Sequence, residues 1–164
     1  MTLTEFNTLP PQDADAVLSR CLPVPRWVAA VRDGRPYAEW PELEAQAARA
    51  AGHLDDGELD DALAGHPRIG ERASSPAHHA EASAREQSGV DRSDAEVARA
   101  LAEGNAAYER RFGRVFIIRA AGRSAPEVLA ELDRRLGNDD ATERDETVRQ
   151  LREIALLRLR EVAS

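Results

Sequence analysis

The sequence predicts an all-α protein, a compact single-domain bundle of about eight helices that spans residues 1–164. Three observations favour this fold class. Apolar residues recur at spacings of three and four, alanine and leucine are abundant, and aromatic residues make up only 4% of the chain. With 164 residues, the chain is also long enough to bury a hydrophobic core.

The first half of the chain shows four helical stretches that proline and glycine separate. Proline is compatible with the first turn of a helix and ends a helix further along, so its positions predict where helices start and stop. Gly65, after the fourth stretch, is suited to the left-handed conformation that often terminates a helix. The predicted helices lie between Pro11 and Pro23, around residues 27–31, from Pro41 to near Gly52, and over residues 56–64.

The second half predicts four further helices and one short extended segment. Ser93 and Glu96 have the spacing of a capping box, and Gly113 is expected to stop the helix that follows. Residues 114–119 include an apolar, β-branched run that is too short for a helix, so we expect a buried, extended connector there. The predicted helices cover residues 77–87, residues 93–112, the stretch from Ser124 to near Gly137, and residues 141–162.

Composition and charge argue against several classes of function. The 22 basic residues are all arginine, so a Schiff base on lysine, and with it covalently attached pyridoxal phosphate, is excluded. The net charge of −8 argues against binding to nucleic acid or to an anionic membrane surface. No run approaches the roughly 20 apolar residues of a membrane span, and the N-terminus lacks the pattern of a secretory signal. With one cysteine, Cys21, we expect a cytoplasmic protein whose partner is a small molecule.

Residues 65–76 contain prolines and glycines that interrupt helical structure, and loops of this length are often functional. His66 lies directly after a helix end and before Pro67, which biases its backbone toward extended geometry. Imidazole as a group titrates near neutrality, so a histidine at the mouth of a pocket can move a proton in either direction. The alternative interpretation is an ordinary histidine in a loop.

Three polar side chains of the predicted helix 77–87 can converge on one spot. Ser83 and Gln87 are four residues apart, and Glu86 is three residues from Ser83, so they are neighbours on the helix surface. A solvent-exposed helix face would show the same pattern, and the spacing alone leaves both interpretations open.

Two polar residues interrupt apolar helix stripes. Arg158 lies at the margin of the stripe that contains Leu151 and Leu159, where a guanidinium needs an anion. That anion is either an internal carboxylate or a bound substrate carboxylate or ureido oxygen. The alternative interpretation is a side chain that extends outward and keeps its guanidinium in water. Asn105 interrupts the stripe of the helix 93–112, and because a buried amide must satisfy its hydrogen bonds, we expect it to brace a loop.

The sequence shows no pattern of metal ligands. His78 and His79 are adjacent and would point apart on a helix, and no ligand pair at a spacing of four accompanies them. A glycine-rich phosphate loop and a nucleophile elbow are also absent from the sequence. We therefore expect no metal.

Four ordered stretches, together with Trp27 and Arg35-Pro36-Tyr37, form a pattern that extends over nearly the whole chain. The stretches are Leu63-Ala64-Gly65-His66-Pro67-Arg68-Ile69-Gly70, Ser83-x-x-Glu86-Gln87, Asn105-x-x-Tyr108-x-x-x-Phe112-Gly113-x-x-Phe116-Ile117 and Ile154-Ala155-Leu156-Leu157-Arg158-Leu159. This pattern resembles the OHCU decarboxylase family, which acts on 2-oxo-4-hydroxy-4-carboxy-5-ureidoimidazoline in the degradation of urate. The resemblance implies an all-α homodimer without metal or organic cofactor, which releases CO2 and gives (S)-allantoin.

The resemblance also implies which residues act. His66 matches the catalytic histidine of the family, Glu86 its active-site glutamate and Arg158 the arginine that contacts substrate. Arg119 and Ala120 stand where the family carries small or cysteine residues, which affects the expected shape of the pocket. The positions that match substrate-binding residues, the last five through their backbone, are Pro67, Ser83, Ala84, Arg85, Gln87, Phe116, Ile117, Ile118, Arg119 and Ala120.

Two other functions are compatible with the residues. One is a helical hydrolase or lyase that acts on a related ureido compound, with the same histidine and glutamate as acid and base. The other is a non-enzymatic helical interaction module whose loop 65–76 binds a partner protein. Product analysis separates the decarboxylase from such a hydrolase, since only the decarboxylase removes the C4 carboxylate as CO2. A ligand-binding enzyme would gain thermal stability from allantoin, whereas an interaction module would not.

Overall fold

The computed structural model describes residues 1–70 and 95–162. These residues form eight α-helices and no β-strand, which confirms the all-α prediction. The predicted helix at residues 77–87 and the capping residue Ser93 lie outside the described residues. In chain order the helices are α1 (Leu3–Thr8), α2 (Pro11–Cys21), α3 (Pro25–Asp33), α4 (Trp40–Ala50), α5 (Asp56–Ala64), α6 (Ala95–Phe112), α7 (Ala125–Leu136) and α8 (Asp140–Val162).

Proline lies in the first turn of four of these helices. A backbone N–H in the first turn has no acceptor within the helix, so the missing N–H of proline breaks no hydrogen bond there. The short helix α1 is a helix that the apolar spacing did not predict. A capping box starts it: the hydroxyl of Thr2 accepts from the N–H of Glu5, and the carboxylate of Glu5 accepts from the N–H of Thr2. Two residues three apart in the sequence therefore carried the signal for α1.

The two glycines predicted to end helices behave differently. Gly113 follows α6 with φ +68°, and its N–H donates to the carbonyl of Glu109 over 2.9 Å, a left-handed helix end as glycine allows. The prediction of a left-handed Gly65 was wrong, because Gly65 is not among the glycines with positive φ. Instead, the N–H of His66 donates to the carbonyl of Leu63 over 3.0 Å, and this tight turn closes α5.

The described chain divides into two compact units. The first consists of Met1–Ala62 and the described part of Leu151–Ser164. In it, α2 packs against α3 and α3 against α4. Trp27 is fully buried, and its indole N–H donates to the carbonyl of Ala47 over 2.9 Å, so the largest core side chain of this unit also satisfies its polar atom.

The second unit is the described part of Leu63–Gln150. Here α6 packs against α7 around a hydrophobic cluster. The helices come close at Gly104, where a Cβ would lie 2.5 Å from Cδ2 of Leu132, so a glycine suits this crossing. The buried members of the cluster are Ile69, Leu101, Tyr108, Phe116, Ile118, Ala120, Ala125, Val128 and Leu132.

The connector between α6 and α7 is neither helix nor strand. Phe116, Ile117 and Ile118 are buried in it, which agrees with the predicted apolar segment near residues 114–119. Among the described residues, no helix combines the length and the apolarity that crossing a bilayer requires.

Candidate active site

The loop that carries His66 is attached to α6 at two points. Nδ2 of Asn105 donates to the carbonyl oxygen of Ile69 over 2.9 Å. One turn further along α6, Glu109 forms an ion pair with Arg68, in which Nη2 and Oε2 are 2.9 Å apart. The hydrogen bond from Arg68 lowers the pKa of Glu109, so this carboxylate stays charged.

Asn105 holds the loop through the amino group of its side-chain amide. The residue is only 3% exposed, and its Oδ1 has no hydrogen-bond partner among the described residues. His66 and Pro67 are half-buried, three and two residues before the braced Ile69. The backbone around His66 is thus held by a helix from a later part of the sequence.

Five of the predicted site residues lie outside the described residues: Ser83, Ala84, Arg85, Glu86 and Gln87. The paired histidines His78 and His79 lie there as well. Within residues 1–70 and 95–162, no group of three or more His, Cys, Asp or Glu side chains could hold a metal ion.

The predicted substrate-binding segment 116–120 is held at two backbone positions. The carbonyl oxygen of Ile117 accepts a hydrogen bond of 2.7 Å from Nη1 of Arg135. The N–H of Arg119 donates to Oε1 of Gln150 over 2.8 Å. Because Gln150 uses the Arg119 N–H, this backbone donor is engaged within the protein rather than presented to a ligand.

Arg135 belongs to a buried network that the sequence interpretation missed. Arg135 is 1% exposed and pairs with the fully buried Glu143, with 2.5 Å between Nη2 and Oε1. The hydroxyl of Tyr108 donates to the same carboxylate oxygen over 2.5 Å. Burial, and next the hydrogen bond to Glu143, raise the pKa of Tyr108, so the phenol remains a donor.

A signal for this network was present in the sequence. Arg135 follows Val128 and Leu132 by seven and three residues, so it lies on the apolar stripe of α7. All three side chains are buried. A buried arginine on such a stripe needs an anion, and here Glu143 supplies it from within the protein.

Arg158 lies in α8, in the first unit, and is 4% exposed. Burial raises the pKa of the thiol of Cys21, in the same unit, to about 12, and the positive charge of Arg158 lowers that pKa by a smaller amount. The thiol is therefore protonated at neutral pH and is no nucleophile. A buried arginine on the apolar face of α8 agrees with the stripe predicted around Leu151 and Leu159.

Comparison with known proteins gives a consistent result. The family model described as OHCU decarboxylase matches residues 7–160. The 2-oxo-4-hydroxy-4-carboxy-5-ureidoimidazoline decarboxylase of Amia calva is 33% identical over 148 residues, which cover 89% of this chain and 83% of the relative. The enzyme of the same name from Haloferax volcanii is 30% identical over 137 residues, which cover 82% of this chain and 80% of the relative.

Two solved structures share the fold. The crystal structure of an OHCU decarboxylase in the presence of (S)-allantoin superposes with a TM-score of 0.75 at 24% identity, over 91% of this chain and 97% of that chain. The crystal structure of an (S)-allantoin synthase gives a TM-score of 0.72 at 19% identity, over 98% of this chain and 54% of that chain.

The fold and the named relatives together define the class of protein, an all-α carboxy-lyase. The match to the family model extends over most of the chain, and the two relatives are matched over more than two thirds of their length. The chain belongs to the OHCU decarboxylase family.

Proposed function

We propose that this chain decarboxylates 2-oxo-4-hydroxy-4-carboxy-5-ureidoimidazoline to (S)-allantoin and CO2 in the breakdown of urate. The observation that carries the proposal is the match of the OHCU decarboxylase family model to residues 7–160. Both named relatives carry this substrate in their names, at 33% and 30% identity. The chain is a carboxy-lyase.

The bonding of the substrate explains how the reaction proceeds. C4 is saturated and C2 carries the oxo group, so the C=N bond of the imidazoline ring joins C5 to N1. When the bond from C4 to the carboxylate breaks, its electron pair forms a C4=C5 bond, and the former C=N pair moves to N1 beside the C2 carbonyl. Addition of protons at C5 and N1 and loss of the hydroxyl proton then give allantoin, with a net uptake of one proton.

Because the ring accepts the electron pair, the protein needs neither a lysine nor an organic cofactor for this chemistry. The absence of lysine from the chain fits such a reaction. We propose that the enzyme works without a metal or a cofactor. Its tasks are then to orient the carboxylate for departure, to stabilise charge on the ring and to protonate one face of C5.

Three side chains are proposed to perform these tasks. His66 is the proton donor or shuttle, since an imidazole can carry a proton near neutral pH. Glu86 holds the 4-hydroxyl and orients the substrate for decarboxylation. Arg158 binds a carboxylate or ureido oxygen of the substrate, because a planar guanidinium can donate two parallel hydrogen bonds to such groups.

Substrate contacts are also proposed for the loop after His66, the segment around Glu86 and the connector between α6 and α7. The connector contributes backbone groups, of which the Arg119 N–H already has Gln150 as its partner. The proposed positions are Pro67, Ser83, Ala84, Arg85, Gln87, Phe116, Ile117, Ile118, Arg119 and Ala120.

We further propose that residues 1–164 act as one domain, in a cytoplasmic homodimer that binds neither nucleic acid nor membrane. The net charge of −8 supports the lack of affinity for nucleic acid. Sedimentation equilibrium tests the homodimer, for which a mass of twice 18.0 kDa is expected. A single species of 18.0 kDa at micromolar concentration would contradict it.

The test of the activity uses substrate generated freshly from urate. CO2 release and the optical activity of the product are followed with and without the protein. We expect faster CO2 release and a product that is predominantly (S)-allantoin, whereas spontaneous decay gives no preferred hand. A product that keeps the C4 carboxylate and has lost ammonia or urea from the ureido group would overturn the proposal and favour a hydrolase.

A further inference from the structure

Arg135 holds two successive residues of the connector between α6 and α7. Its Nη1 donates to the carbonyl oxygen of Ile117 over 2.7 Å. Its Cζ lies 4.6 Å from the centre of the Phe116 ring, within the range of a cation–π contact. One buried guanidinium thus fixes both the backbone and a side chain of the segment 116–120.

The guanidinium is itself fixed. Oε1 of Glu143 accepts from Nε of Arg135 over 2.9 Å and from Nη2 over 2.5 Å. The hydroxyl of Tyr108 donates to Oε1 of Glu143, and the hydroxyl of Thr147 accepts from Nη2 of Arg135. Nδ2 of Asn138 donates to the other oxygen of Glu143 over 2.9 Å. Arg135 cannot turn away from Ile117 without breaking hydrogen bonds to a buried charge.

Peptide geometry transmits this constraint to the next residue. The peptide between Ile117 and Ile118 is trans, since the cis bond in the described chain precedes Pro36. In a trans peptide the C=O of one residue and the N–H of the next point in opposite directions. With the Ile117 carbonyl directed at Arg135, the N–H of Ile118 points away from Arg135.

In the proposed reaction, a hydrogen-bond donor beside the substrate ring stabilises the charge that develops there. Negative charge develops on N1 and on the C2 oxygen of the substrate ring as CO2 leaves, and a preoriented backbone N–H stabilises such charge. We infer that Arg135, through its hydrogen bond to Ile117, is a positioning residue that directs the N–H of Ile118 at the C2 oxygen of the substrate. This inference rests on the proposed function.

The first test removes both charges of the pair. In R135M/E143Q the carbonyl of Ile117 loses its donor, while an amide remains as an acceptor for Tyr108. We expect kcat/KM to fall at least tenfold at a temperature where circular dichroism shows the variant to be folded. The matched control is L132A, which destabilises the same unit from the core of α7, and its kcat/KM should stay within threefold of wild type.

If the double variant does not fold, R135K still tests the positioning role of Arg135. A lysine ammonium can pair with Glu143, but it lacks the second arm that reaches Ile117. We expect the same loss of kcat/KM of at least tenfold. A folded R135K or R135M/E143Q with wild-type kcat/KM, or an equal loss in L132A, would overturn the positioning role.

A spectroscopic readout follows the Ile118 amide directly. In ¹H–¹⁵N spectra of the wild type, (S)-allantoin should shift the Ile118 resonance, and R135K should abolish this shift. An Ile118 resonance that does not respond to (S)-allantoin in the wild type would also overturn the inference. If the wild type itself releases no CO2, the proposed function fails and the inference fails with it; an active wild type with unaffected variants removes the inference alone.

Discussion

The side-chain amide of Asn105 donates to the carbonyl oxygen of Ile69, 2.9 Å away, and so attaches α6 to the loop that carries His66. The two residues are far apart in the sequence, and both are buried. Their hydrogen bond holds the loop's last described residues against the hydrophobic cluster of the second unit.

Asn105→Leu should therefore affect both stability and turnover. Leucine fills a similar volume but leaves the buried Ile69 carbonyl without its donor, which costs about 1–3 kcal/mol of unfolding free energy. We also expect kcat/KM to fall, because the backbone that carries His66 loses a restraint. Urea denaturation and the CO2-release assay measure the two effects. Glu103→Gln, an exposed position of the same helix, serves as the control and should change neither.

His66→Gln tests the proposed proton donor. Glutamine retains a polar side chain of similar size but cannot carry a proton, and loss of a positioned acid typically lowers the rate by about 10²- to 10⁴-fold. We expect the far-ultraviolet circular dichroism spectrum to remain that of the wild type. His53→Gln, at an exposed position, is the matched control and should retain full activity. Near-normal turnover in His66→Gln would remove His66 from the mechanism.

Arg158→Lys tests the proposed contact with an anionic or ureido group. Lysine preserves the charge but not the planar fork, so we expect kcat/KM to fall by at least about tenfold. Arg160→Lys is the control on the same helix, since the exposed Arg160 pairs with Glu44 at 2.8 Å and a lysine can keep that ion pair. Unchanged kinetic constants in Arg158→Lys would argue against direct contact with substrate.

The helices were largely predictable from the sequence because their signals are local. Apolar spacing and the positions of proline and glycine predicted seven of the eight helices that the described residues contain. The helix α1 has six residues, too few for a periodic pattern to be visible. Gly65 was assigned the wrong conformation because a glycine permits a left-handed turn without requiring it.

The buried network was less predictable because its partners are chosen by tertiary packing. Arg135 stands in a run with Asp133 and Arg134, which has the composition of an exposed helix end. Glu143, the carboxylate that pairs with Arg135, lies in the next helix, α8. In the sequence it looks like an ordinary acidic residue of a helix's first turn. The spacing of Arg135 from Leu132 indicated burial, but no local rule could name Glu143 or the Ile117 carbonyl as its partners.

The ion pair between Arg134 and Glu146 should make stability depend on pH. Nη2 and Oε2 lie 2.6 Å apart, and the hydrogen bond from Arg134 is the main reason that the pKa of Glu146 falls to about 2. Since the pKa of Glu146 in the folded state is lower than the ordinary glutamate value of 4.5, the stabilisation is fully present above pH 4.5 and is lost as the pH falls toward 2.

We expect Glu146→Gln to lower the unfolding free energy at pH 7 by only about 1 kcal/mol, because solvent screens the half-exposed Arg134. The difference between wild type and variant should disappear as the pH approaches 2, and it should shrink in 1 M salt, where the Debye length is about 3 Å. Urea denaturation from pH 7 to pH 2 measures it. A difference that is independent of pH would mean that Glu146 stabilises the fold through its packing or its hydrogen bond from Asn138 rather than through its charge.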